Sequence, residues 1–98
     1  MDSQLLASLR IEESLKRLHQ GDPIASVVEL EELLDADPNN PEALYLLGQS
    51  NLISENPLAA FYALQHCTQI APEECEAHVS LAIASFEICS FARCLKAA

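Results

Sequence analysis

Residues 37–44 read Asp37-Pro38-Asn39-Asn40-Pro41-Glu42-Ala43-Leu44, two prolines bracketing two asparagines directly before an apolar run. The Asn40 side chain can accept a hydrogen bond from a free amide of a following first helical turn, and Pro41 gives up only an N–H that has no intrahelical partner there. Pro38 cannot extend a preceding helix. The segment therefore predicts one helix ending and another beginning within a few residues.

The pattern recurs. The offset that places Pro23 on Pro57 also places Ala25 on Ala59, Leu30 on Leu64, Pro38 on Pro72, Glu42 on Glu76, Ala43 on Ala77 and Leu47 on Leu81. Asp22-Pro23 and Asn56-Pro57 repeat the capping residue and proline of Asn40-Pro41. Between these points, apolar residues return at three- and four-residue steps: Ile24, Val27, Val28, Leu30, Leu33 and Leu34, then Leu44, Leu47 and Leu52. That spacing is helical. The expected helices run from about Ser3 to His19, Pro23 to Ala36, Pro41 to Ser54, Pro57 to Ile70 and Glu73 to Ile88, with a last one from about Phe91.

The stretch "PEALYLLGQSNLISENPLAAFYALQHCTQIAP", from Pro41 to Pro72, resembles the tetratricopeptide repeat family. The offset from Pro23 to Pro57 equals that family's period of about 34 residues. Leu44, Leu47 and Gly48 fall on its first-helix aromatic, leucine and small positions, Ala60 on its second-helix small position and Pro72 on its closing proline. Asn51 stands where a tyrosine is usual, and Glu55 where a turn glycine is usual. The earlier repeat keeps Gly21 and Pro38 but carries Arg10, Glu13 and Ser14 at the first-helix signature. The resemblance implies one all-α domain over residues 1–98: an α-solenoid of antiparallel helix pairs wound as a right-handed superhelix. Its repeats are approximately 7–40, 41–74 and an incomplete 75–98. Either a longer array or another chain is then expected to cover the open end.

In such a stack the first helix of each pair lines a concave face. The resemblance assigns to it Ile11, Leu15 and Leu18, then Tyr45, Leu46, Gln49 and Ile53, then Val79, Ile83 and Phe86. This face is mostly apolar, with Glu12, Glu42, Glu76 and Glu87 at its rim. One branch of the family grips peptide C-termini through Lys, Arg and Asn donors; here the corresponding positions hold Glu12, Leu15, Leu46, Gln49, Glu76 and Ser80, so a carboxylate clamp of that kind is disfavoured. An apolar or amphipathic segment with basic flanks is the expected partner. The expected function is non-catalytic protein–protein interaction, as scaffold or adapter, or as a secretion-type chaperone shielding a client segment. Homodimerisation is a separate expectation, motivated by Leu5, Leu6, Leu9, Ile11, Leu15 and Leu18 on several sides of the first helix and by the unfinished last repeat.

Composition limits the other classes. Half of the 98 residues are apolar, only two are Gly and none is Trp, which favours helix. The net charge is −10, and the five basic residues, Arg10, Lys16, Arg17, Arg93 and Lys96, leave Leu18 to Ala92 without a cation. Nucleic acid and anionic membranes are therefore disfavoured as partners. No run reaches a membrane span and Met1-Asp2-Ser3 does not open a secretory signal, so a cytoplasmic or otherwise intracellular location with reduced thiols is expected.

His66, Cys67, Cys75 and His78 are metal-ligand types, but their spacing does not make four ligands converge, and no metal or other cofactor is expected. Cys67 and Cys94 fall on small packing positions of the repeat. Neither Cys67 nor Cys75 has the base and oxyanion environment of a nucleophile, so an enzyme is not expected. The acids Glu29, Glu31, Glu32, Asp35 and Asp37 are expected on a solvated face, and His19 at a helix C-terminus.

Overall fold

A computed structural model describes the backbone of residues 3–97 and the side chains of residues 6–90. Its five helices are α1 (Ser3–His19), α2 (Pro23–Ala36), α3 (Pro41–Ile53), α4 (Pro57–Ile70) and α5 (Cys75–Ala97), and no strand occurs among the described residues. Each helix packs on the next, so the all-α helical-repeat expectation holds.

The joints follow from residue chemistry. Asp22 Oδ1 accepts from the Ala25 amide at 3.2 Å, and Asn40 Oδ1 from the Ala43 amide at 3.2 Å. Asn56 departs from the expected pattern, since its side chain makes no cap hydrogen bond. Helix ends repeat as closely as starts. The Gly21 amide donates to Leu18 O and the Asp22 amide to Arg17 O; one period on, Glu55 donates to Leu52 O and Asn56 to Asn51 O. Both turns need a left-handed residue, at φ 84° for Gly21 and 62° for Glu55. The resemblance marked Glu55 as standing in a glycine's place, and its backbone adopts the glycine conformation regardless.

The same offset governs the core. Leu30 and Leu64 are fully buried, Leu33 and Cys67 nearly so, and Ala43 and Ala77 fully. Where α2 meets α3, Ser26 Oγ and Ser50 Oγ share a 3.0 Å hydrogen bond; their counterparts in the next pair are the buried Ala60 and Ala84. A hydroxyl pair and a methyl pair thus fill equivalent places. At Gly48 α3 and α4 approach closely, because a Cβ there would overlap the Leu64 side chain.

One expectation fails at the third repeat. The helices foreseen as ending near Ile88 and restarting near Phe91 are one continuous α5, which also begins at Cys75 rather than Glu73. The positions equivalent to Gly21-Asp22-Pro23 and Glu55-Asn56-Pro57 are Cys89-Ser90-Phe91. Neither a glycine nor a proline is present to stop the helix, so it continues.

Candidate partner-binding face

The five helices form two layers. Helix α1 touches α3 and α3 touches α5, whereas α2 and α4 do not touch among the described residues. The α1, α3, α5 layer is thus the more closely packed of the two, and it is the one to which the resemblance assigns the inner face.

The ten residues assigned to this face divide into two groups. Ile11 and Leu46 pack onto the cluster of Leu30, Leu33 and Ala43, and so join repeats to one another. Tyr45 is half-buried between two clusters, one holding Leu44, Cys67 and Ala77 and the other Ala60, Leu64 and Ala84; its hydroxyl donates to Glu76 Oε2 at 3.4 Å. Gln49 Nε2 donates to Ser80 Oγ at 2.7 Å. These two bonds tie α3 to α5. Leu18 is also half-buried.

The second group is open to solvent: Leu15 on α1, Ile53 on α3, and Val79, Ile83 and Phe86 on α5. The α5 trio is spaced four and three residues apart and forms one stripe, with exposures of 60%, 47% and 71%. Large apolar side chains this exposed and this ordered in spacing can bury against an incoming segment, each contributing about 1.5–3 kcal/mol when fully covered. The arrangement can bind an apolar segment.

Sequence reasoning overlooked an apolar pattern on the other layer. Ile24 and Val28 on α2, placed by periodicity among packing residues, are 69% and 52% exposed. Their counterparts on α4, Leu58 and Tyr62, are 54% and 63% exposed. The signal was available, since both pairs are i, i+4 and recur at the repeat offset. A cleft of about 740 Å³ also lies at the first joint, bounded by Leu6, Ala7, Ile11, Leu33, Asn40 and Pro41. It meets the inner-face set only at Ile11.

Ion pairs link α1 to α2. Arg17 Nε donates to Glu29 Oε1 at 2.7 Å, and Arg10 pairs with Glu32 at 3.4 Å. Two of the five acids expected on a solvated face are thus ion-pair partners of α1. The sequence could not show this, because the partners are 12 and 22 residues apart.

Of the four residues considered as metal ligands, three have other hydrogen-bond partners and Cys75 is exposed. His66 Nε2 lies 3.1 Å from Asn39 Oδ1 and His78 Nε2 lies 2.9 Å from Pro72 O. Cys67 is buried and donates to Pro41 O at 3.4 Å. Burial pushes its thiol pKa up, and the nearby Glu74 carboxylate adds to the shift.

Similarity to known proteins fits this architecture. Over 72 residues, 74% of this chain, the sequence is 38% identical to the PEX5-related proteins of mouse, rat and human. The chain spans about an eighth of those relatives, 13% of the mouse protein and 12% of the rat and human ones. No known family's profile matches it. The likeness and the five-helix stack are compatible with a tetratricopeptide-like repeat. No helix among the described residues is long and apolar enough to cross a membrane.

Proposed function

We propose that the chain is a non-catalytic interaction module that takes an apolar or amphipathic segment of a partner protein against the inner face of α1, α3 and α5. The observation that carries this reading is the exposed stripe of Val79, Ile83 and Phe86, with Ile53 and Leu15 on the neighbouring inner helices. Tyr45 and Gln49 act beneath it by fixing the spacing of α3 and α5. Glu12, Glu42, Glu76 and Glu87 are exposed around it, so a segment with an apolar face and lysine or arginine flanks is matched in both respects. Scaffolding and client shielding use this face in the same way, and differ only in what is bound.

A synthetic amphipathic helix with leucines at i, i+3, i+4 and i+7 and lysine flanks is a suitable probe. Its fluorescence anisotropy should rise on titration with the protein, and Ile83→Glu or Phe86→Glu should weaken binding at least tenfold. The outer-face variant Ile24→Glu should leave binding unchanged. Equal loss in all three variants, or no binding to the unaltered protein, overturns the reading.

A further inference from the structure

On α3, the residues Leu44, Gly48 and Asn51 are buried where α4 packs against the helix. Their counterparts on α5, one period later, are His78, Ala82 and Ser85. Because α5 runs straight through the place where a turn would bring the chain back, this second seat has no helix over it among the described residues, and Ala82 is exposed. With exposed Cys75 and Cys89 the seat continues as Cys75, His78, Ala82, Ser85, Cys89, at alternating steps of three and four. That is the spacing of a helix-packing seam.

We propose that this face is a two-fold contact between two copies of the chain, with their α5 helices antiparallel and crossing at Ala82. The occupant is argued from register and charge. A two-fold axis at Ala82 places Cys75 of one copy opposite Cys89 of the other, at both ends of the seam, and leaves the small Ala82 at the centre where the backbones come closest. Glu73, Glu74 and Glu76 stand at the start of α5, while Arg93 and Lys96, the only basic residues after Arg17, stand in its last two turns. Antiparallel pairing brings each acidic end to a basic end, whereas parallel pairing sets like charges together. Helix α4 already seats on α3 in this antiparallel sense, so the second copy would supply the layer that the straight α5 does not supply for itself. The contact adjoins the Val79, Ile83, Phe86 stripe, since Val79 and Phe86 stand three residues before and four after Ala82, but the register and charges that define it do not depend on peptide binding there.

The test is the solution mass of the 98-residue chain by light scattering and sedimentation equilibrium, combined with diamide oxidation and peptide mapping under non-reducing conditions. The expected result is a dimer whose oxidation product is an intermolecular Cys75–Cys89 disulfide. Ala82→Glu sets two carboxylates at the axis and should weaken the dimer at least tenfold, with helix content by circular dichroism unchanged; Ala82→Cys should yield a symmetric cross-link through position 82. A monomer under all conditions overturns the proposal. So does a dimer that survives Ala82→Glu or cross-links through other cysteines. Probe binding by the unaltered protein is read separately, so failure of the dimer is distinguishable from failure of the inner-face reading.

Discussion

The chain reverses at Glu55-Asn56-Pro57 and runs straight through Cys89-Ser90-Phe91, although the two stretches occupy the same place in successive repeats. Magnitudes explain the difference. A left-handed non-glycine residue such as Glu55 costs roughly 1 kcal/mol. A proline inside a continuing helix costs about 3 kcal/mol, so Pro57 outweighs the strain at Glu55 and the chain turns. At Cys89-Ser90-Phe91 nothing penalises another turn of helix. Repetition in the core residues therefore does not guarantee repetition in the path of the chain, which is set by a few punctuating residues.

The largest expected contrast comes from filling the two seats. Gly48→Leu forces atoms into Leu64 and should destabilise the fold by about 2–3 kcal/mol. Ala82→Leu, at the equivalent position of α5, should cost under about 0.5 kcal/mol in the monomer, because Ala82 is exposed and no helix among the described residues lies over it. Urea denaturation of both variants at low concentration measures the gap; equal losses would mean that α5 is covered from within the chain.

A medium effect is expected where α2 meets α3. Ser26→Ala or Ser50→Ala alone should cost about 1 kcal/mol by leaving a buried hydroxyl short of its partner. The double variant reproduces the methyl pair of Ala60 and Ala84 and should recover most of that loss. A double-mutant cycle in denaturant reads the coupling, and strict additivity would show that the hydroxyls do not depend on one another.

The smallest expected effect sharpens the turn comparison. Glu55→Gly should stabilise by roughly 0.5–1 kcal/mol, since glycine adopts the left-handed conformation without a Cβ penalty. Gly21→Ala should lose a similar amount. Thermal midpoints moving in opposite directions would confirm that the two turns share one backbone requirement.

Most of the scaffold was legible because its signals are local. Asp22-Pro23, Asn40-Pro41 and Asn56-Pro57 mark helix starts that the structure places at Pro23, Pro41 and Pro57. The missing break in α5 was also written locally, in the lack of glycine and proline at residues 89–91, but the expectation of a completed period obscured it. The candidate face was legible only in outline. Helical spacing cannot distinguish Ile11 and Leu46, which join repeats, from Val79 and Phe86, which meet solvent, because the difference depends on which neighbouring helix is present. The Arg17–Glu29 pair and the exposed Ile24 and Val28 were hidden for the same reason.

Cys67 adds a kinetic consequence to its place in the core. Its thiol is enclosed between α4 and the Pro41 carbonyl, and burial disfavours the thiolate, the form that alkylating reagents attack. In the monomer the exposed Cys75 and Cys89 should be consumed at once, while Cys67 waits until α4 lifts from α3. Its rate of modification therefore counts openings of one helix pair, giving the chain a natural clock for the lifetime of a single joint in the stack.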